Sequence, residues 1–223
     1  MTRLTRILIA GTALAILPLS LAYAGTSTDP AITGEGTSNI LNGQVDFHVA
    51  QSNLNVDITN VSGNVAQQSV AGGNAVDITT MNNTNVTNSQ YVSSVDISSH
   101  MNANVTNTGG TVSLQSQAIC NSAGVSMDPT STNVYSNQEC NAVDPSSSIN
   151  AQVVNAGNDV SLASAAIGNS FEEDTNAKYG AVQTYQINNS NVNSNVNGSI
   201  TNVTGNVTAT SAAIGNTAQI VHY

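Results

Sequence analysis

Positive charge is nearly absent from this sequence, which has three Lys and Arg residues against 13 Asp and Glu residues among 223. Two of the three cations, Arg3 and Arg6, lie in the first six residues, so only Lys178 remains in the rest of the chain. One cation cannot neutralise the phosphates of a nucleic acid, and an acidic chain is repelled by anionic lipid headgroups. The composition therefore excludes nucleic acid as a partner and disfavours anionic membrane surfaces.

Large and charged side chains are also scarce. Aromatic residues make up 4% of the chain, charged residues 7%, and Trp is absent. The apolar residues are mostly Val, Ala and Ile, and the polar ones are mostly Asn, Ser and Thr. Disordered chains usually carry more charge and fewer β-branched residues. We therefore expect stacked β-strands rather than disorder or one central core of large side chains.

The first 24 residues have the pattern of a secretory signal peptide. A basic start is followed by an apolar run over residues 7–21 and by a small-residue cleavage site at residues 22–24. No later apolar stretch is long enough to span a bilayer. We expect an exported chain with a signal peptide at 1–24, a flexible Gly-, Thr- and Ser-rich leader at 25–38, and a repeat domain at 39–223. Without the signal peptide, the formal charge is 1 minus 13, or −12.

The repeat domain is defined by a motif that occurs four times. Its anchors are serines spaced by 47, 48 and 47 residues, each followed two residues later by Ala and five residues later by Asn. A second Asn precedes each serine by nine residues. The serines are Ser69, Ser116, Ser164 and Ser211, the following asparagines are Asn74, Asn121, Asn169 and Asn216, and the preceding ones are Asn60, Asn107, Asn155 and Asn202. This regularity predicts a solenoid.

Apolar residues within each repeat recur at every second position, as in Leu54, Val56 and Ile58. This is the period of a strand with one buried face. The motif serines fall on such inward positions and are expected to be packed spacers rather than nucleophiles, whereas the asparagines are expected at corners, stacked in hydrogen-bonded ladders. We predict an all-β fold, a parallel β-solenoid (β-helix) of four repeats with about two coils each. Eight coils would form a rod on the order of 40 Å long.

The two cysteines, Cys120 and Cys140, favour a disulfide in an exported chain, with free thiols as the alternative. Metal binding by this pair is not expected, because no His lies at a ligand spacing from either Cys. The third repeat is the least regular. Its prolines between Asp128 and Ser148 and its acidic run at residues 172–174 predict protruding loops, and a solvated loop is favoured over a calcium site for the acidic run.

Three stretches of the chain resemble curlin repeats, and by this resemblance the predicted solenoid is curlin-like. They are the tail Gly-Asn-Thr-Ala-Gln-Ile-Val-His-Tyr at 215–223 and the openings Ser-Asn-Leu-Asn-Val at 52–56 and Ser-Asn-Val at 194–196. The period is about twice that of a curlin repeat, and Ile58, Val105, Val153 and Ile200 stand where that family has an inward Gln. The Ala-Ile-Gly-Asn turns and longer repeats are similar to holdfast-anchoring surface proteins of stalked bacteria. The resemblance implies export through an outer-membrane secretion channel, attachment to the outer surface and cross-β fibres.

No catalytic, cofactor-binding or metal-binding residue is predicted, since His48, His100 and His222 occupy different places in the repeat. We therefore expect a structural protein rather than an enzyme. The predicted role is a subunit or anchor of an outer-surface adhesive fibre that acts by β-edge stacking. Its expected partners are copies of itself or other secreted fibre or anchor proteins, and a surface polysaccharide. The alternative is a monomeric carbohydrate-binding or carbohydrate-cleaving β-helix that contacts glycan through loop acids such as Glu172 and Asp174.

Overall fold

The computed structural model describes residues 38–80, 83–93, 96–127, 131–141, 144–176 and 179–222. The predicted signal peptide and nearly all of the predicted leader lie outside these residues. The described chain is built of β-strands: β1 (Ser38–Asp46), β2 (Ala50–Val61), β3 (Val65–Thr80), β4 (Thr84–Val92), β5 (Ile97–Thr108), β6 (Val112–Met127), β7 (Ser131–Cys140), β8 (Ser146–Ala156), β9 (Val160–Thr175), β10 (Tyr179–Asn188), β11 (Asn193–Val203) and β12 (Val207–His222).

The twelve strands form three parallel sheets with the orders β1-β4-β7-β10, β2-β5-β8-β11 and β3-β6-β9-β12. Each strand pairs with the equivalent strand of the next repeat, so Ser69 pairs with Ser116, Ser116 with Ser164, and Ser164 with Ser211. Each repeat therefore adds one strand to every sheet. We name the repeats coil 1 (β1–β3), coil 2 (β4–β6), coil 3 (β7–β9) and coil 4 (β10–β12). The all-β parallel architecture expected from the sequence is confirmed.

The expectation of two coils per repeat was wrong, because the described strands make one coil per repeat. The predicted corner at Gly73 and Asn74 is a bulge inside the 16-residue strand β3. Pairing with β6 is interrupted between Gly72 and Asn74 and then resumes in the same sheet. Ala71 and Asn74 both point inward as a result. Four coils stacked at ~4.8 Å place the first and last strands of a sheet only about 15 Å apart.

The other predicted corner turns the chain from the second strand of each coil into the third, which lies in a facing sheet. Asn60, Asn107, Asn155 and Asn202 adopt φ angles of 60°, 56°, 58° and 55°. This is the left-handed region, which Asn tolerates better than most residues. The ladder between β2 and β5 skips Asn60, pairing Thr59 with Thr106 and then Val61 with Thr108. The β2-type strands (β2, β5, β8 and β11) therefore end in a bend that leads into the β3-type strands (β3, β6, β9 and β12).

The core lies between these facing sheets and follows the alternation seen in the sequence. The inward residues of coils 2 and 3 are almost completely buried, for example Met101 and Ile149 at 0% exposure. The first half of each β3-type strand packs against β2-type strands, as in the contact of Ser69 with Ser52. The second half faces the β1-type strands (β1, β4, β7 and β10). There the Gln44 side chain donates a hydrogen bond to the carbonyl of Ala75.

The third repeat does not contain the predicted acidic loop. Glu172, Glu173 and Asp174 lie within strand β9, paired with β6 and β12 on its two sides. Glu173 points inward and has 0% exposure. The segment before Cys140, expected to protrude, is strand β7. Both segments remain strands because each is paired with the equivalent strand of the preceding and following coils: β9 with β6 and β12, and β7 with β4 and β10.

Candidate interaction surfaces

A continuous chain of serine hydroxyls runs along the core through all four coils. The hydroxyls of the four motif serines alternate with those of four serines on the facing sheet, at O–O distances of 2.8 to 3.0 Å. The order is Ser52, Ser69, Ser99, Ser116, Ser147, Ser164, Ser194 and Ser211. These small side chains let two sheets approach closely, and their hydrogen bonds satisfy the buried oxygens.

Two ladders of side-chain amides also run through the interior. Asn74 donates to Asn121 at 3.0 Å, Asn121 to Asn169 at 2.8 Å, and Asn169 to Asn216 at 2.8 Å. The glutamines form the second ladder in the opposite direction at 2.8 Å per step, from Gln186 to Gln138, Gln90 and Gln44. Each amide thus has partners in neighbouring coils, which makes the stacking register specific.

The corner asparagines form a third ladder on the outside. Asn107 donates to Asn60 at 2.9 Å, Asn155 to Asn107 at 2.7 Å, and Asn202 to Asn155 at 3.0 Å. The predicted site residues are thus brought together column by column along the axis. Each column joins identical side chains and holds the coils in register.

Cys120 and Cys140 form a disulfide that links β6 of coil 2 to β7 of coil 3, with a Cα–Cα distance of 5.9 Å. Both residues are fully buried, in a cluster with Val92 and Ile97. Cys120 occupies the bulge position that is glycine in the other three repeats. Its side chain therefore points from the bulge toward the end of the facing β1-type strand, where Cys140 lies. The disulfide fastens the two central coils to each other.

Glu173 is a buried carboxyl group that the sequence pattern had suggested was solvated. Its ladder neighbours are Val125 on β6 and Ile220 on β12. Neither carboxyl oxygen has a hydrogen-bond partner among the described residues. Burial, followed by the charge of Asp174, raises the pKa of Glu173 to about 7. The pKa of the partly exposed Glu172 is also raised, by burial first and then by Asp174 and Asp77.

Exposed aromatic and aliphatic side chains gather on the outer face of sheet β1-β4-β7-β10. Tyr135 is 42% exposed and Tyr185 56%, and Phe47, just after β1, is 61% exposed. The Phe47 ring meets Tyr91 edge-on, with 6.1 Å between ring centroids. Leu41 and Val45 extend the patch on β1. This aromatic face was not predicted from the sequence, although all its residues but Phe47 occupy outward positions of the first strand of a repeat.

A shallow groove of about 510 Å³ lies across the outer face of sheet β2-β5-β8-β11. Its lining is dominated by amides such as Asn102, Asn150 and Gln152, and its one carboxylate belongs to Asp57. Glycoside cleavage requires two carboxyl groups, so the lining of this groove does not supply that chemistry. Among the described residues, no group of three or more His, Cys, Asp or Glu side chains could hold a metal ion.

Within the part of the chain that the structure describes, the strands at the two ends of the solenoid each have one edge without a pairing strand: β1, β2 and β3 at one end, and β10, β11 and β12 at the other. At the second end the inward side of β12 is open. Val207 is 51% exposed and Ile220 is 50% exposed, whereas Val160, the coil 3 equivalent of Val207, is 1% exposed. Coil 4 therefore presents the side chains of a core to solvent.

In the part of the chain that the structure describes, no helix is long and apolar enough to cross a membrane. Comparison with curated proteins and with solved structures finds no match. One family model, holdfast attachment protein D, matches residues 59–222, from the end of β2 to the end of β12. This match covers most of the chain and agrees with the holdfast resemblance of its repeats, while the curlin resemblance has no such support. The chain is a member of the holdfast attachment protein D (HfaD) family.

Proposed function

We propose that this chain is a secreted structural component of the holdfast attachment, a subunit or anchor of an outer-surface adhesive fibre, and that it acts by pairing its strand edges with another β-rich chain. The family supports a role in attachment at the cell surface. The observation that carries the mechanism is the open coil 4, where three edges without a partner among the described strands surround exposed core residues such as Val207 and Ile220.

The strands of coil 4 lack two of the features by which natural sheets avoid edge pairing. Charged side chains and Pro often block an exposed edge. Strands β10, β11 and β12 contain no Asp, Glu, Lys, Arg or Pro. An incoming strand would gain backbone hydrogen bonds along each edge and would cover the exposed core. Coil 4 is therefore suited to binding another solenoid coil.

The proposal is tested by purifying the chain without residues 1–24 and observing it by electron microscopy with thioflavin fluorescence. We expect filaments or short stacks that bind thioflavin. A product that stays monomeric at high concentration and shows no fibre with extracts of the cell surface would contradict edge pairing. Cell-surface protease treatment and membrane fractionation test the accompanying proposals of export, outer-surface attachment and passage through an outer-membrane secretion channel.

Glycan binding is a second candidate function, favoured by the aromatic face on sheet β1-β4-β7-β10. Glu172 and Asp174, the acids first considered for this role, lie on strand β9 rather than on a loop. Exposed rings offer flat apolar surfaces for a sugar, and large exposed apolar patches often mark binding sites. We expect a Tyr135→Ala and Tyr185→Ala double variant to lose retention on surface polysaccharide, with Asn137→Ala as the control. Equal retention of all three proteins would contradict this function.

A further inference from the structure

Facing sheets of the solenoid are offset by about half the spacing between coils. As a result, the two ends of the solenoid lack different types of strand. Each inner β3-type strand contacts the β2-type strand of its own coil and that of the next coil: β3 contacts β2 and β5, β6 contacts β5 and β8, and β9 contacts β8 and β11. Among the described strands, β12 contacts only β11 of this type. At the other end, β2 contacts β3 but has no second β3-type neighbour in the described part of the chain.

The β1-type strands follow the same rule. β4 lies against β3 and β6, and β10 lies against β9 and β12, whereas β1 contacts only β3 among the described β3-type strands. Within residues 38–222 as described, coil 4 therefore has no following pair of β1- and β2-type strands, and coil 1 has no preceding β3-type strand. The β1- and β2-type strands that could follow coil 4 are exposed on coil 1, and the β3-type strand that could precede coil 1 is exposed on coil 4.

The serine chain has the same directional order. Its successive members are 17 residues apart within a coil and 30 or 31 apart between coils. The chain starts at Ser52 and ends at Ser211. The next position after Ser211 is that of a β2-type serine, which Ser52 of a second copy can supply.

The amide ladders can also continue in this direction. In the glutamine ladder each amide donates to the preceding coil, so Gln44 of a second copy can donate to Gln186. In the buried asparagine ladder each amide donates to the following coil, so Asn216 can donate to Asn74 of that copy. Both ladders would be extended donor to acceptor by one added copy in the same orientation.

Charge distinguishes this arrangement from a symmetric one. Coil 1 carries Asp46, Asp57 and Asp77, one on each strand, whereas the strands of coil 4 contain no Asp, Glu, Lys or Arg. Two coil 1 ends in contact would bring six carboxylates together with no Lys or Arg on the strands that meet. Contact of coil 1 with coil 4 places the same carboxylates beside uncharged side chains of coil 4, which avoids the repulsion.

From these observations we propose that the partner of coil 4 is coil 1 of a second copy of this chain, stacked head to tail so that all three sheets, the serine chain and both amide ladders continue across the junction. This assignment rests on the proposed function of edge pairing and specifies its partner and direction. The resulting polymer has one orientation, with a free coil 1 at one end and a free coil 4 at the other.

Two variants that each block one end test the direction. Val207→Lys places a charge in the exposed core of coil 4, and Leu54→Lys does so in the partly buried core of coil 1. A lysine in either place can reach water at a free end but would be buried unpaired in a junction, because its inward neighbours along the column are apolar. The controls are Thr208→Lys and Asn53→Lys, the outward neighbours on the same strands.

Molar mass is measured by light scattering after size exclusion, with circular dichroism to check that each variant is folded. We expect assemblies for the wild type and both controls, the mass of one chain for each blocked variant alone, and twice that mass for an equimolar mixture of the two. If Leu54→Lys fails to fold, Ser52→Lys replaces it in the same experiment.

Dimers of either blocked variant alone would overturn the head-to-tail assignment, because they require contact between like ends. A wild type that assembles while the mixture remains monomeric would also overturn it, since another surface must then mediate assembly. A wild type that binds a different surface protein but never itself would overturn the assignment and leave edge pairing intact. A wild type that binds neither would refute both the assignment and the proposed function.

Discussion

The buried carboxyl of Glu173 should make the stability of the solenoid depend on pH near neutrality. The group is fully buried between Val125 and Ile220 in its column, and its oxygens have no hydrogen-bond partner among the described residues. Desolvation disfavours the charged form, with a further contribution from Asp174. The folded protein therefore holds this proton more tightly than the unfolded chain does.

The direction and size of the change in folding stability with pH follow from the pKa of Glu173. With a folded value of about 7 and an ordinary value of 4.5, the folded state binds more protons than the unfolded state between these pH values. The stabilisation is complete below pH 4.5 and is lost as pH rises through 7, at about 1.4 kcal/mol per pH unit. Chains with little net charge tend to precipitate, so the measurement begins at pH 5.5, above the sequence pI of about 4.1. About 2 kcal/mol should be lost between pH 5.5 and pH 7.

The test is urea denaturation followed by far-ultraviolet circular dichroism at pH values from 5.5 to 8.5. We expect Glu173→Gln to remove most of the fall in the urea midpoint, because an amide does not ionise in this range. Glu173→Val should be more stable than the wild type at pH 8.5, since it continues the aliphatic column. Asp57→Asn, at an exposed position on β2, is the matched control and should keep the wild-type pH dependence. The same pH dependence in Glu173→Gln and the wild type would refute the reasoning.

Two further changes test the connections between coils. Replacing Cys120 and Cys140 together by Ser should lower the free energy of unfolding by about 3 kcal/mol, measured by urea denaturation against the wild type with and without reductant; an unchanged midpoint would contradict a stabilising disulfide. Asn121→Ala should cost about 2 kcal/mol, because the buried oxygen of Asn169 then loses its donor. Asn102→Ala, in an exposed ladder, should cost less than about 1 kcal/mol, and equal losses at the two positions would contradict the importance of burial.

The alternation of inward residues could be predicted from the sequence because it depends on local geometry. Ser69 and Ala71 lie on the buried face, as their spacing indicates. The number of coils could not be predicted in the same way. Gly73 and Asn74 suit both a turn and a bulge, and the two differ only in whether the following residues pair in the same sheet. That outcome depends on contacts with a strand 47 residues away.

Glu173 shows a different kind of error. Its charge and its acidic neighbours suggested a loop, but counting alternate positions from the inward Phe171 would have placed it in the core. The alternation of inward and outward residues predicted the position of Glu173 better than its charge did, because the residues on both sides of it pair with β6 and β12. The half-step offset between facing sheets has no local signature at all. It arises from how the walls of successive coils pack, and it is the feature that makes the two ends of the solenoid complementary.

Positions with the same place in the repeat should therefore respond differently according to their coil. Val112 and Val207 belong to one inward column of valines, but Val112 is 0% exposed and Val207 is 51% exposed. A lysine at Val112 has no route to water, so Val112→Lys should remove the β-sheet signal in circular dichroism. Val207→Lys should keep that signal and lose only assembly. If both variants unfold, coil 4 is covered within the monomer, and its exposed core is not the surface on which a partner binds.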